Sequence, residues 1–200
     1  MARNVSFLPL RHAAPTGRDT GLVATVAQMP GFLDAQECDR AIAMAERLPG
    51  LAGTLDEAGQ RDEPVRKSTV RFVYPDAGSA WLFARLDDAV RRINASYGFA
   101  LTGFAEGVQL ASYEGGGHYD WHIDLGPGSF AHRKLSLSVQ LSDEADYDGG
   151  ELEFLVSRDM AQRARGTLIA FPSFLAHRVR PVTRGNRWSL VSWIYGPPFR

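Results

Sequence analysis

The spacing of apolar residues predicts two helices in the first half of the chain. Asp34 is followed three residues later by Glu37, the pattern of a capping box at a helix start. Pro49-Gly50 is expected to end this first helix. A second helix is predicted after Ser79, which can cap it, and ends before Gly98. The predicted buried faces consist of Cys38, Ile42, Met44, Ala45 and Leu48 in the first helix and Leu82, Leu86, Val90 and Ile93 in the second.

From about residue 104 the pattern changes to short runs rich in β-branched and aromatic residues, separated by turns. STVRFVY (68–74) has the same character. The later runs are VQLASY, HYDWHID, KLSLSVQLS, ELEFLV, GTLIAFP, HRVRPV and RWSLVSWIY. Seven short strands with such punctuation indicate a sandwich or barrel rather than a parallel sheet.

These patterns predict a single α+β domain over residues 1–200. Residues 1–20 form a loose arm or an edge strand, residues 32–98 a helical support, and residues 104–196 a β core. The aperiodic stretch 51–66 is expected to be a mobile surface loop.

Composition narrows the function classes. The chain is 44% hydrophobic, and its 22 Lys and Arg residues balance 23 Asp and Glu residues. This balance provides no basic field for nucleic acid, and no stretch of about 18 apolar residues suits a membrane span. Cys38 is the single cysteine, so an internal disulfide is excluded and a reducing, cytoplasmic location is expected.

Three side chains have the chemistry of a metal site. His122 and Asp124 are two residues apart in a strand-like run, so both are expected on one face. His177 opens a later run. Two histidines and one carboxylate are the facial triad of non-haem Fe(II) oxygenases, which leaves three metal positions open for a keto acid and dioxygen.

Arg187 follows His177 by ten residues and could bind the far carboxylate of such a keto acid. If Arg184-Gly185 were a tight turn, Arg187 and His177 would be offset by about 16 Å along paired strands, at about 3.3 Å per residue. A small diacid and an extended arginine cover most of that distance.

An ordered set of segments then resembles a known family. The set comprises Tyr113–Tyr119, His122-Ile123-Asp124, Arg133–Ser136, Gln140-Leu141-Ser142, Tyr147–Leu152, Phe171-Pro172, His177–Val182, Gly185-Asn186-Arg187 and Ser189. It resembles the iron(II)- and 2-oxoglutarate-dependent dioxygenases, specifically their prolyl 4-hydroxylase-like branch. The resemblance implies a double-stranded β-helix (jelly roll) with a metal between its two sheets.

The same resemblance implies roles for individual residues. His122, Asp124 and His177 would bind Fe(II), and Arg187 would bind 2-oxoglutarate. Tyr113 would donate a hydrogen bond to the same distal carboxylate, with a core tyrosine as the alternative. Dioxygen would be the second cosubstrate, with ascorbate as a reductant.

Other residues near these motifs carry weaker expectations. Tyr119 and Trp121 could wall a substrate pocket, although plain packing is favoured for Trp121 because its position faces away from His122. His118 has the parity of the ligands, so a straight strand would place it on their face as a substrate contact or rival ligand, but the preceding glycines favour a bend. Gln140 either touches the cosubstrate or makes a structural hydrogen bond. The remaining expectations are that His132 is solvated, His12 has no chemical role, Gly149-Gly150 form a tight turn or bulge, and Glu151 pairs with a cation.

The sequence thus predicts a dioxygenase that hydroxylates an unactivated C–H bond. The resemblance suggests a prolyl or other amino-acid side chain in a peptide, a protein or a free amino acid. Segments 51–66 and 125–129 are expected to close over the substrate. The alternative is a cupin-like metal-binding β-barrel, an isomerase or ligand-binding module, which would not explain Arg187.

Overall fold

The computed structural model describes residues 26–55, 59–157 and 160–199, together with the backbone of residues 6–8. Within these ranges there are two α-helices, α1 (Ala35–Glu46) and α2 (Ala80–Tyr97), and one 3-10 helix at Gly128–His132. The strands are β1 (Ser6–Leu8), β2 (Val26–Met29), β3 (Leu51–Ala52), β4 (Arg66–Lys67), β5 (Thr69–Val73), β6 (Gly103–Phe104), β7 (Val108–Glu114), β8 (His118–His122), β9 (Arg133–Gln140), β10 (Tyr147–Gly149), β11 (Leu152–Phe154), β12 (Leu168–Pro172), β13 (His177–Val179) and β14 (Val182–Tyr195).

The strands form two sheets. The ten-stranded sheet has the order β1-β2-β12-β9-β14-β7-β5-β3, and β6 and β10 also pair with β14. The four-stranded sheet has the order β11-β13-β8-β4. All strand pairs in both sheets are antiparallel, as the predicted sandwich requires. Each of the seven predicted later strands is present.

Side chains alternate between the two faces of the large sheet and so contribute to two separate hydrophobic cores. Leu135, Leu137 and Val139 of β9 join the core between the large sheet and the helices. A second core lies between the sheets and includes Phe171 of the large sheet and Phe154 of the small sheet. Because both faces of the large sheet are covered, β9 is buried at every position.

The helices follow their predicted patterns with two corrections. Asp34 and Glu37 form the capping box reciprocally, and Gly98 ends α2 with φ of 67°. Leu48 is not part of a buried helical face, because α1 ends at Glu46 and the residue is 36% exposed. Ser79 precedes α2 but makes no capping hydrogen bond; its hydroxyl donates to the Tyr74 carbonyl instead.

The proposed turn at Arg184-Gly185 is wrong. Both residues lie inside β14, where Gly185 pairs with Tyr147 of β10. The strand begins at Val182, so β13 and β14 enter different sheets instead of pairing with each other. His177 and Arg187 are therefore related across the space between the sheets, not along a hairpin.

The segments outside the β core also contribute strands. Ser6–Leu8 of the predicted arm pair with β2 as an edge strand, and the rest of residues 1–20, including His12, lie outside the described residues. The predicted loop 51–66 begins with β3 and ends in β4; its residues 56–58 also lie outside the described part. Among the described helices, none has the length and apolar character needed to cross a bilayer.

Candidate active site

The three predicted metal ligands converge between the two sheets. His122 of β8 and His177 of β13 are direct partners across the small sheet. Asp124 lies just beyond β8, with its Oδ1 3.8 Å from His122 Nε2 and its Oδ2 3.7 Å from His177 Nε2. The three ligand atoms lie within 4.8 Å of one another, so they could hold one metal ion.

Backbone carbonyls orient both imidazoles. The Nδ1 atom of His122 is 2.7 Å from the Asp120 carbonyl, and that of His177 is 2.9 Å from the Leu175 carbonyl. Each Nδ1 can thus carry the proton and donate it, which directs the lone pair of Nε2 toward Asp124. The arrangement fits a metal that accepts two nitrogens and one oxygen, such as Fe(II).

Electrostatics favour the protonation states that a metal needs. Burial, reinforced by the neighbouring His177, lowers the pKa of His122 to about 3, so its imidazole is neutral at pH 7. Burial alone would raise the pKa of Asp124. The two histidines and the Ser136 hydroxyl outweigh that effect, and the pKa of this carboxyl falls below its ordinary value.

Two serines that sequence reasoning did not select support Asp124. The Ser136 hydroxyl donates to Asp124 Oδ2 at 2.6 Å and lies 2.9 Å from the Ser173 hydroxyl. Ser136 belongs to the Leu-Ser-Leu-Ser alternation of β9, which places polar side chains on the face opposite the helix-packed leucines. This alternation was the available signal, because serines in a fully buried strand need partners.

Arg187 is a buried cation with free donors. It is 1% exposed and lines the pocket that also contains the triad. Its Nη2 donates to Gln140 Oε1 at 2.9 Å, while Nε and Nη1 have no hydrogen-bond partner. Among the described residues, no carboxylate forms an ion pair with it. Since an unpaired buried charge is costly, the site suits an anionic ligand such as one end of a diacid.

Tyr113 lies beside Arg187. The two residues are cross-strand partners of β7 and β14, and the guanidinium carbon is 5.5 Å from the centre of the tyrosine ring. Tyr113 is buried and lines the same pocket. Its position is compatible with the predicted cosubstrate contact, which remains a prediction.

Gln140 supports Arg187 rather than lining the pocket. Its side-chain oxygen accepts from Arg187, and its nitrogen donates weakly to the Gln162 carbonyl at 3.4 Å. The structural interpretation of this buried amide therefore agrees with the observed contacts. One strand, β9, consequently supports both ends of the site, through Ser136 at the triad and Gln140 at the arginine.

The pocket has a volume of about 520 Å³ and extends from the triad to Arg187. Tyr119 forms one wall: its ring stacks on the His122 ring at 3.5 Å, and burial raises the pKa of its phenol to about 12. Arg66 packs against the other face of Tyr119, 4.4 Å from the ring centre.

The facing wall contains a charged and aromatic group that sequence reasoning did not assign. Arg133 makes two hydrogen bonds of 2.7 Å to Glu106 and lies 3.6 Å from the Phe130 ring centre and 3.9 Å from that of Trp193. Burial alone would lower the pKa of Arg133, but pairing with Glu106 outweighs it and the pKa rises. The wall is therefore rigid, and its charges are matched.

An irregularity in β8 changes which of its side chains lie on the same face as His122. His177 pairs with His122 but Val179 pairs with Tyr119, so β8 carries one extra residue between these positions. Tyr119 consequently joins the face of His122. His118, which only a straight strand would place on that face, contacts the carbonyls of Gly116 and Pro64 through its two ring nitrogens and does not line the pocket.

Trp121 faces away from the site, as expected, but it is not packed in a core. Its side chain is 39% exposed, with the Arg178 guanidinium 4.8 Å from its ring centre. His132 is exposed, as predicted, and one ring nitrogen contacts the Gly196 carbonyl. Glu151 forms its predicted ion pair, with Arg163. Both predicted closing segments contribute to the pocket lining, through residues 54–55 and 125–128.

Gly149-Gly150 form an irregular turn with positive φ at both residues, as predicted. Gly150 also provides space for Arg187, because a Cβ there would lie 2.7 Å from Arg187 Cδ and 2.9 Å from Val182 Cγ2. A larger residue would therefore displace the arginine as well as strain the backbone.

Gly150→Ala is expected to lower the free energy of unfolding by about 2 kcal/mol or more, since backbone strain and overpacking add. Denaturant unfolding measures this change. Gly31→Ala is the matched control, because Gly31 has a similar φ of +62° but nothing within 4 Å of a built Cβ. Equal losses in the two variants would contradict a steric role for the Arg187 contact.

Comparison with known proteins agrees with this geometry. Residues 108–195, which contain the triad, Tyr113 and Arg187, match the model of the 2OG-Fe(II) oxygenase superfamily. This part of the chain, which is slightly less than half of it, is thus similar to that superfamily. A PKHD-type hydroxylase from Synechococcus sp. strain CC9902 is 36% identical over 99 residues, which are 48% of this chain and 44% of the relative. The chain thus matches less than half the length of this curated relative.

Solved structures share the fold. A prolyl-4-hydroxylase from Pseudomonas putida superposes with a TM-score of 0.66 at 23% identity, over 86% of this chain and 92% of the other. A Trichoplax adhaerens prolyl hydroxylase in complex with a hypoxia-inducible-factor peptide fragment gives 0.71 at 19% identity, over 85% and 83%. These likenesses confirm the jelly-roll fold.

Proposed function

We propose that this protein is an Fe(II)- and 2-oxoglutarate-dependent oxygenase that hydroxylates an amino-acid side chain. The observation that carries the proposal is the pairing of two groups in one pocket: a triad that suits Fe(II), and a buried guanidinium with two unused donor nitrogens. A keto acid with a distal carboxylate needs both groups at once.

The residues divide the work as follows. His122, Asp124 and His177 would hold the metal, and Arg187, with Tyr113 beside it, would hold the far carboxylate of 2-oxoglutarate. When bound, Fe(II), 2-oxoglutarate and dioxygen would convert a C–H bond of the substrate to an alcohol, while 2-oxoglutarate is oxidised to succinate and carbon dioxide. Tyr119 and the Arg133 wall would exclude water and place the substrate carbon next to the metal.

The likeness to prolyl hydroxylases supports a proposal for the substrate class. Both structural neighbours are prolyl hydroxylases by name, and one of them was solved with a peptide fragment. We propose a prolyl side chain first, in a peptide or protein, and other amino-acid side chains or free amino acids second. The pocket is compatible with a small ring, because aromatic side chains of Tyr119, Phe130 and Trp193 line it. Ascorbate as a reductant remains a prediction.

The cupin-like alternative is not favoured. A barrel that only binds a metal gives no role to Arg187, whose burial without a carboxylate partner is costly. No observation in the described residues favours an isomerase.

The experiment that tests this function is a substrate screen. The protein is incubated with Fe(II), 2-oxoglutarate and ascorbate, together with proline-containing peptides or free amino acids. Succinate release and a product heavier by one oxygen atom are measured by mass spectrometry. We expect at least one proline-containing substrate to give both signals, and His177→Ala to abolish them.

His132→Ala is the control, because His132 is an exposed histidine outside the pocket. It is expected to retain the activity of the unaltered protein. Product formation that persists in His177→Ala, or that needs no 2-oxoglutarate, would refute the proposed function.

A further inference from the structure

Ser136 and Ser173 hold Asp124 from two sides. The carboxylate accepts the Ser136 hydroxyl at 2.6 Å, and the Asp124 amide donates to the Ser173 carbonyl at 2.9 Å. The two serine hydroxyls are 2.9 Å apart. Both serines are fully buried, with no exposed surface. Asp124 is thus part of a closed ring of hydrogen bonds, although it lies outside any strand.

The direction of these bonds is determined by chemistry. An ionised carboxylate can only accept, so the Ser136 hydrogen points to Asp124. The Ser173 hydroxyl must then donate to Ser136, which fixes the Ser136 rotor. At 2.6 Å, a hydroxyl-to-carboxylate hydrogen bond is of the strong, charge-assisted kind.

The bond also distinguishes the two carboxylate oxygens. Oδ2 accepts the hydroxyl, while Oδ1 receives no hydrogen bond from the described residues. Oδ1 is the oxygen 3.8 Å from His122 Nε2. Oδ2 lies 3.7 Å from His177 Nε2, so both oxygens face the triad, but only Oδ1 keeps all its lone pairs free for a metal. A metal that also bound Oδ2 would compete with the Ser136 hydroxyl for the lone pairs of that oxygen.

We propose that Ser136, oriented by Ser173, is a positioning residue that keeps Asp124 a one-oxygen ligand of the metal. This inference rests on the metal centre of the proposed function. A second bound carboxylate oxygen would occupy one of the three positions that the keto acid and dioxygen require. The two serines thereby keep three metal positions free for the keto acid and dioxygen.

The test uses Co(II) as a probe on the apo-protein, so that no turnover is needed. Isothermal titration measures the dissociation constant, and visible absorption at saturation reports the ligand arrangement. Ser136→Ala is expected to weaken Co(II) binding about 10- to 100-fold and to change the saturated spectrum, as for other residues that orient metal ligands. Ser173→Ala is expected to give a smaller loss, because its hydroxyl acts through Ser136.

Ser192→Ala is the matched control, since Ser192 is a buried strand serine that does not line the pocket. It should leave both measurements unchanged. Ser136→Ala with the affinity and spectrum of the unaltered protein would overturn this inference alone, as would an equal loss in Ser192→Ala. Failure of the unaltered protein to bind Co(II) would overturn the proposed metal centre and this inference together.

Discussion

Replacing Arg187 with methionine is expected to weaken 2-oxoglutarate binding about a hundredfold or more, because it removes one partner of a buried charge pair. Methionine keeps much of the apolar stem that packs near Gly150 but removes every donor. It leaves Gln140 and the incoming carboxylate without their cationic partner in a buried part of the pocket. Anaerobic titration of the visible absorption band of bound Fe(II) and 2-oxoglutarate measures the change.

Arg184→Met provides the comparison on the same strand. Arg184 is exposed and forms its ion pair with Asp148 at the surface, so its loss should not alter 2-oxoglutarate binding. Metal affinity should be unaffected in both variants, because neither residue contacts the triad. If Arg187→Met bound 2-oxoglutarate as tightly as the unaltered protein, the proposed diacid site would be in the wrong place.

Asp124→Ala is expected to abolish succinate formation or to reduce it more than the ~100-fold typical of a residue that merely supports a metal ligand. Alanine removes the oxygen ligand. It also leaves the Ser136 hydroxyl without its carboxylate acceptor. Succinate release under saturating 2-oxoglutarate, together with Co(II) affinity, separates lost metal binding from a later defect.

Asp143→Ala is the control for removing an aspartate, because Asp143 is exposed in the turn after β9 and its carboxylate accepts from the Ala145 amide, away from the pocket. It should retain normal turnover. Normal turnover in Asp124→Ala would instead refute the assignment of Asp124 as a ligand.

Both predictions depend on which of the two sheets provides each residue of the site. The small sheet provides the two histidines, and the large sheet provides Arg187, Tyr113 and the β9 side chains. The pocket lies between the two sheets, and residues of the apolar core between the sheets form part of its lining. A substitution that shifts one sheet against the other would therefore separate the triad from Arg187 without changing either.

Local patterns were sufficient for much of this molecule. The capping box at Asp34, the left-handed Gly98 and the alternation of β9 are readable because helices and strands repeat every few residues. The triad was also readable, since few histidines exist and one has an aspartate two residues away. An ordered series of motifs then pointed to the superfamily that residues 108–195 match.

Spacing failed where distant chain segments determine the structure. The extra residue in β8 moved Tyr119 onto the His122 face and His118 away from it, a change set by pairing with β13. Arg184-Gly185 contained a left-handed glycine yet continued as strand, because β10 pairs with it. The register is a property of two paired strands, so the sequence of one strand alone does not determine it.

By itself, the sequence determined both helices, the later strands and the polar side chains available for chemistry. Only the tertiary structure decided that His177 and Arg187 lie on opposite sheets, that Gln140 accepts from the arginine, and that Ser136 and Ser173 hold Asp124. The physical reason is that short-range periodicity sets which face a residue occupies. The packing of segments that are far apart in the chain determines which atoms the side chains on that face contact.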